Sequence, residues 1–237
     1  MRKLTLMAVA AAVTALCVVS IAQAVTPTTA MKASVSPTKK GTKTKPKNVK
    51  LNVELITQPK ADEPAFAASS TVVHFDKNLK FGGKYLKSCT AAQVQSDDTK
   101  CPKGSKVGGG SATGTALGLT ENLTVTAYNG PGGSKLELLV DGTAPLTIHS
   151  VIEGKLQSEG GKFGKKLVVA IPDSLQQPAP GAYATLTDFK TSVKGTGSKK
   201  RPYVGLAGCT KHTLNFQSDY TFTDGTTSTA TTTAKCS

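Results

Sequence analysis

Thr213-Leu-Asn-Phe-Gln-Ser-Asp-Tyr-Thr-Phe222 is the stretch of sequence that decides the fold. Its polar residues alternate with the apolar side chains of Leu214, Phe216, Tyr220 and Phe222. This period of two predicts a β-strand with one buried face. Asp224-Gly225 follows directly and predicts a hairpin turn into a threonine-rich terminal strand. The end of the chain therefore favours an antiparallel β-fold.

Similar strand signals recur along the chain at spacings of roughly 8 to 20 residues. Runs of alternating or β-branched residues, bounded by glycine, proline or aspartate, predict strands over 49–55, 71–75, 123–128, 136–140, 146–152, 166–171 and 184–193. Together they predict an all-β protein, an antiparallel β-sandwich of the immunoglobulin-like or jelly-roll type over 48–237. Two smaller lobes are the alternative for the same residues.

One short helix is predicted after Cys89. Thr90-Ala-Ala-Gln93 fits a capping box, in which the Thr90 hydroxyl and the Gln93 amide each satisfy a free backbone N–H at the start of a helix. Asp97-Asp98 limits this helix to about two turns. We expect it to position Cys89 beside Cys101.

The first 24 residues have the pattern of an export signal. Arg2 and Lys3 precede a long apolar run that ends in Ala22-Gln23-Ala24, a small-x-small cleavage site. We expect cleavage between Ala24 and Val25, which also removes Cys17. A retained membrane anchor is the alternative. The mature protein is therefore predicted to be secreted, either extracellular or associated with the cell wall.

Basic residues are concentrated just after this signal. The chain has a net charge of +14, and residues 25–50 hold seven lysines with no Asp or Glu. The Lys/Thr/Pro-rich composition of residues 25–47 predicts a disordered linker. Clustered lysines attract polyanions, so an anionic cell-envelope polymer is the predicted partner; a plain solvated spacer is the alternative. No aromatic residue lies among the lysines for base stacking, so specific nucleic-acid binding is not expected.

Four cysteines remain after the signal: Cys89, Cys101, Cys209 and Cys236. An even number in an exported chain predicts disulfides, and four cysteines allow three pairings. We favour Cys89 with Cys101 and Cys209 with Cys236, because the members of each pair are near in sequence. Metal binding is disfavoured because there is no Cys-x-x-Cys spacing.

No residue pattern identifies a reaction. His74, His149 and His212 are the only histidines, and the sequence has no Gly-x-Ser-x-Gly elbow to mark a nucleophilic serine. The glycine-rich run 107–115 lacks the third glycine and the Gly-Lys-Ser/Thr of a nucleotide loop, so it is interpreted as a strand that packs closely against a neighbour. No catalytic, cofactor-binding or metal-ligating residue is predicted.

Several segments together resemble a family of uncharacterised secreted actinobacterial proteins. They are 89–93, 186–189, 203–204, 222–225 and the most specific one, Cys101-Pro-Lys-Gly-Ser-Lys-Val-Gly-Gly-Gly. The resemblance covers most of the chain from about Leu51 onward. It implies export, two local disulfides and a β-rich fold, and it implies no catalytic residue.

The preferred functional hypothesis is a non-catalytic structural or binding domain that is secreted or attached to the cell envelope. One alternative is an extracellular hydrolase acting on wall polymer or an ester, which would need a histidine in a cleft beside a serine and a carboxylate. The other is a carbohydrate-binding module. The absence of tryptophan weakens it, since Tyr85, Tyr128, Tyr183 and Tyr203 would have to share one exposed face.

Overall fold

The structure is a computed structural model that describes residues 26–58, 67–198 and 201–237. The signal peptide predicted for 1–24 and its cleavage site at Ala24 and Val25 lie outside the described residues. The strands are β1 (Thr28–Ser36), β2 (Lys47–Asn48), β3 (Lys50–Gln58), β4 (Ala68–Asp76), β5 (Leu79–Phe81), β6 (Lys106–Ala116), β7 (Leu119–Asn129), β8 (Lys135–Gly142), β9 (Ile148–Ser158), β10 (Phe163–Ala170), β11 (Thr185–Val193), β12 (Val204–Leu206), β13 (Thr213–Phe222) and β14 (Thr227–Lys235). The helices are α1 (Ala91–Asp97) and the single turn α2 (Asp173–Gln176).

Eleven strands form one large sheet in the order β1-β3-β11-β6-β7-β8-β9-β10-β4-β13-β14. Every hydrogen-bonded neighbour in this sheet is antiparallel. The two edge strands, β1 and β14, lie side by side, so the sheet nearly closes into a barrel. The predicted all-β antiparallel fold with one short helix is confirmed, and the strands enclose their core within a single curved sheet.

Strand β13 shows why the sheet has an inside and an outside. Its buried side chains are those of Leu214, Phe216, Ser218, Tyr220 and Phe222, and the residues between them are only partly buried. Alternate residues of a strand point to opposite faces of the sheet. The same alternation on the other strands fills the barrel with one main hydrophobic cluster, which includes residues of β1, β3, β4, β6 to β11, β13 and β14.

A second, three-stranded sheet caps one end of the barrel. Its order is β2-β12-β5, and all its pairs are antiparallel. Val49, Leu79, Val204 and Leu206 are almost completely buried and belong to the main hydrophobic cluster. This end is called the capped end below.

Helix α1 lies on the outer face of the barrel. The capping box is present: Thr90 Oγ1 accepts a hydrogen bond from the Gln93 N–H, and the Gln93 side chain accepts one from the Thr90 N–H. Val94 packs in a small second cluster with Cys89, Tyr128 and Leu139. The sequence therefore predicted this helix and its start correctly.

The glycine-rich strand is β6, between β7 and β11. A Cβ atom on Gly108 would come within 1.9 Å of the Ser192 carbonyl oxygen, and one on Gly110 within 1.9 Å of the Lys190 carbonyl oxygen. Neither position has room for a side chain. The interpretation of this run as a closely packed strand is confirmed.

The N-terminal segment differs from the disordered linker predicted for residues 25–47. Residues 28–36 form β1, which pairs with β3 along its whole length, so the folded part begins well before residue 48. Met31 and Val35 are 5% exposed and belong to the core, while Lys32 between them is exposed. The prediction was wrong because lysine, threonine and proline dominate the composition and conceal a short period-two pattern of Met31, Ala33 and Val35.

Candidate ligand cavity

The interior of the barrel holds a cavity in two compartments. The lower compartment, nearer the capped end, has a volume of about 110 Å³, and the upper one about 120 Å³. Six residues line both: Leu55, Thr71, Ile152, Ile171, Leu186 and Phe189. The two spaces are therefore contiguous and lie one above the other inside the sheet.

The lower compartment has an almost entirely apolar lining. Leu136, Leu138, Val169, Phe75 and Val193 line it from four different strands. A dry apolar cavity of about 150 Å³ is large enough to take up benzene. Each compartment is thus close to the size of one small ring or short alkyl group, and the two together accept a somewhat larger molecule.

The upper compartment carries buried polar groups among its apolar ones. Glu121, on an inward-facing position of β7, is 7% exposed, and its Oε1 atom has no hydrogen-bond partner. Its Oε2 atom accepts a hydrogen bond of 2.9 Å from the Leu146 N–H. Tyr220, on β13, is 4% exposed and lines the same space. Ordinary cores seldom leave such groups unpaired.

The Tyr220 hydroxyl is held in an apolar setting. Burial raises the pKa of Tyr220 to about 12, and the neighbouring Ser218 hydroxyl opposes this rise. Neither hydroxyl has a hydrogen-bond partner of normal geometry. The ring stacks on Phe222, with centroids 6.1 Å apart. At neutral pH the tyrosine is therefore a neutral group with a hydrogen-bond donor available inside the barrel.

Exposed apolar side chains surround the uncapped end of the barrel. Leu117 and Leu119 lie at the β6–β7 hairpin, Leu146 in the β8–β9 loop, and Tyr183 and Leu186 at the start of β11; these five are the exposed large hydrophobic residues of the described chain. We call this set the apolar rim. The pairing of the strands places the apolar rim at the uncapped end of the barrel, which is also where the upper compartment lies.

The sheet also has a break in its hydrogen bonding beside the cavity. The ladder between β9 and β10 stops at Gly154 and Val169, although β9 continues back to Ile148. The free backbone edge of β9 is bound by α1 instead, where Gln95 accepts from the Val151 N–H and donates to the His149 carbonyl. Ile152 and Ile171, which line both compartments, flank this break.

The capped end is strongly basic. Residues 37–50 and 77–89 hold ten lysines and no Asp or Glu, and all ten lysines are exposed. None of them forms an ion pair with another described residue. Strands β2 and β5, from these two segments, flank β12 in the small sheet, and Arg201 donates from its guanidinium to the Thr44 carbonyl. The lysines of the predicted linker are therefore displayed on a folded surface.

Among the described residues, none of the three histidines has a hydrogen bond to a serine side chain, as the hydrolase hypothesis requires. His74 lies between Glu159 and Asp219, with each ring nitrogen 2.8 Å from a carboxylate oxygen. His149 Nδ1 is 2.6 Å from Asp141 Oδ1, and its Nε2 is 2.8 Å from the Gln95 carbonyl oxygen. Both rings face outward, away from the cavity. The hydrogen bond to Asp141, chiefly, raises the pKa of His149.

The tyrosines do not form an aromatic platform either. Tyr128 and Tyr203 are 4% and 5% exposed, so neither can stack on a sugar at the surface. The hydrogen bond from the Tyr128 hydroxyl to Asp98, 2.6 Å long, ties the outer face of β7 to the turn after α1. These two tyrosines serve the packing of the barrel.

Both predicted disulfides are present, Cys89–Cys101 and Cys209–Cys236. The first joins the two ends of the segment that carries α1, and the second fixes the end of β14 to the loop before β13. Both lie toward the capped end, away from the upper compartment, so they stabilise the scaffold and take no part in the cavity.

Sequence analysis missed Glu121, although the sequence contains a signal for it. Along β7 the inward positions are Glu121, Leu123, Val125 and Ala127, so the carboxylate occupies a place in the pattern where an apolar residue is expected. A charge at a core position of a strand needs either a partner or a function.

Within the described ranges, no group of three or more His, Cys, Asp or Glu side chains is arranged to hold a metal ion. No helix of the described chain is long and apolar enough to cross a membrane. In comparisons with protein-family models, curated proteins and solved structures, nothing matches this chain. The proposed function therefore rests on the geometry of the cavity and of the two ends of the barrel.

Proposed function

We propose that this protein is an exported, non-catalytic binding domain that holds a small, mainly apolar molecule inside its barrel. The observation that carries the proposal is the pair of contiguous apolar compartments enclosed by the sheet. An apolar molecule gains free energy by leaving water for such a space, in proportion to the area it buries. Two disulfides and the resemblance to secreted actinobacterial proteins support the extracytoplasmic location.

The break between β9 and β10 supplies a route for the ligand. Beyond Gly154 and Val169 no backbone hydrogen bonds hold these strands together, so they can separate there without breaking the ladder. Ile152 and Ile171, which line both compartments, lie beside this path. The nearby apolar rim offers a surface on which the ligand can first be held.

Filling the cavity tests the proposal. Val169 and Val168 are neighbours on β10, but Val169 lines the lower compartment and Val168 points to the other face of the sheet. In the wild type, benzene should cause saturable shifts of the backbone amide signals of β10 and β11 in two-dimensional NMR spectra. Val169→Phe should abolish these shifts and Val168→Phe should retain them. Absence of saturable binding to the wild type would overturn the proposal.

We also propose that the capped end attaches the protein to an anionic polymer of the cell envelope. Ten exposed lysines without acidic neighbours in sequence create a positive field that attracts polyanions and weakens with salt. The attachment is assigned to the surface that residues 37–50 and 77–89 form together.

Deleting the N-terminal segment would be a poor test of attachment, because it would remove β1 from the core. Substitution of Lys43, Lys45 and Lys47 by Gln should instead reduce retention on isolated cell envelope at low salt. The matched control is the substitution of Lys155, Lys162 and Lys166 by Gln, on the β9–β10 side, which should leave retention unchanged. Equal retention of both variants, or retention insensitive to salt, would contradict this attachment.

A further inference from the structure

We infer that the ligand of the barrel carries a hydroxyl group, which the upper compartment binds between Glu121 and Tyr220 while the apolar part lies in the lower compartment. This inference rests on the proposed function and adds the chemical class of the ligand. It assigns a binding role to two buried residues that packing alone does not explain.

Glu121 has one carboxylate oxygen that can still accept a hydrogen bond. The Leu146 N–H binds only Oε2, and Oε1 is buried without a partner. The local backbone makes room for this oxygen: a Cβ atom on Gly142, across the β7–β8 pair, would come within 2.6 Å of it. A buried acceptor without a partner is costly, and a donor from a ligand would remove that cost.

Tyr220 supplies the complementary group from the opposite wall. Strands β7 and β13 are separated by four other strands in the sheet, yet Glu121 and Tyr220 line one compartment. A tyrosine hydroxyl is protonated at neutral pH because its ordinary pKa is about 10, and burial raises the pKa of Tyr220 further, to about 12. The compartment therefore offers an acceptor at Glu121 and a donor at Tyr220.

Glu121 and Tyr220 together discriminate between ligands that carry different polar groups. A hydroxyl both donates and accepts hydrogen bonds, so it can donate one to Glu121 and accept one from Tyr220. A plain hydrocarbon leaves both unpaired, and a carboxylate has no hydrogen to donate and would place a second negative charge near Glu121. Sites built to bind a hydroxyl reject analogues that lack it.

Benzene, phenol and benzoate test the inference because they differ only in the polar group. Their dissociation constants for the mature, disulfide-bonded protein can be measured at pH 7 from the same NMR amide shifts. We expect phenol to bind at least tenfold more tightly than benzene, and benzoate to bind more weakly than either. The preference follows from two hydrogen bonds formed in a buried site.

Two variants assign the preference to its residues. Tyr220→Phe and Glu121→Gln should each reduce the ratio of phenol affinity to benzene affinity at least threefold. Glu121→Gln should also strengthen benzoate binding, because it removes the negative charge. Glu54→Gln, on the outer face of β3, is the matched control and should behave like the wild type.

The outcomes separate the inference from the proposed function. If none of the three probes binds the wild type, the proposed function itself is wrong. If benzene binds but phenol has no advantage, the hydroxyl inference is overturned and the apolar cavity stands. The comparison of the three probes on the wild type gives this answer even if a variant fails to fold.

Discussion

The Oγ1 atom of Thr29 lies 2.7 Å from the Oγ atom of Ser228, and this contact joins the first strand of the barrel to its last. Strands β1 and β14 run side by side from this contact as far as Ser237. There the Ser237 N–H donates to the Thr38 carbonyl, and the Lys40 N–H donates to the Ser237 carbonyl. A sheet edge with unpaired backbone groups is a site for unwanted association. By bringing its two edges together, the sheet protects both of them.

The first prediction concerns β1. Met31→Ala should lower the free energy of unfolding by about 2 to 3 kcal/mol, because it empties a buried position of the core. Lys32→Ala, on the exposed face of the same strand, should change it by less than about 0.5 kcal/mol. Urea unfolding measures both. Equal, negligible effects would mean that residues 28–36 do not contribute to the fold in solution.

A second prediction concerns the glycines of β6. Gly108→Ala should destabilise the protein by about 2 kcal/mol or more, because the new methyl group would meet the Ser192 carbonyl on β11. Gly114→Ala, on the same strand, places its methyl group no closer than 3.6 Å to the Thr185 carbonyl oxygen. It should be tolerated within about 1 kcal/mol. Thermal unfolding of the two variants compares them directly, and similar melting temperatures would contradict the register of β6 with β11.

The third prediction concerns the disulfides. Replacing both Cys209 and Cys236 by Ala should cost about 3.5 kcal/mol, and replacing Cys89 and Cys101 about 3 kcal/mol, because the closed loops differ in length. The sequence separations are 27 and 12 residues. Unfolding by urea without reductant measures the loss. Loss of benzene binding in a variant that remains folded would contradict the assignment of both bonds to the scaffold.

A fourth prediction concerns the dependence of stability on pH. Glu137 is 0% exposed, and neither of its carboxylate oxygens has a hydrogen-bond partner. Burial, and then the charge of Glu153 on the next strand, raise the pKa of Glu137 from 4.5 to about 7, while Lys135 opposes the rise. In the unfolded chain this carboxyl ionises at the lower pH.

Between pH 4.5 and 7 the unfolded state therefore binds fewer protons than the folded state, and stability should fall as the pH rises through this window. Glu137→Gln removes the effect. Relative to the variant, the wild type should lose about 3 kcal/mol between pH 4.5 and pH 8. Urea unfolding at several pH values gives the difference, with Glu54→Gln as the control for a carboxylate at the surface. Parallel curves for wild type and Glu137→Gln would show that the carboxyl is not held in an apolar environment.

Much of the local structure could be predicted because its causes are local. The alternation in residues 213–222 fixes which face of β13 is buried, and Thr90 and Gln93 fix the start of α1 through hydrogen bonds within one turn. The pairing of Cys89 with Cys101 follows from nearness in sequence. In each case the residues that interact are neighbours along the chain or share one element.

The cavity and its polar groups could not be predicted in this way. The Oε1 atom of Glu121 is buried without a partner beside Gly142 of β8, and Tyr220 lines the same compartment from the far side of the barrel. Neither the periodicity of the sequence nor a motif shows which strands face each other across a closed sheet. The candidate site therefore depends on residues about 100 positions apart in the chain that line one compartment.

The sequence by itself determined the all-β class, most of the strands, the helix with its cap and the two disulfide pairs, because periodicity and short spacing act through local backbone geometry and short loops. Only the tertiary structure decided that residues 28–36 belong to the barrel, that its edges meet at Thr29 and Ser228, and that a cavity lined by Glu121 and Tyr220 remains inside. Closure of the sheet is the physical reason. Closure depends on all eleven strands together, whereas the composition of residues 25–47 predicted a disordered linker.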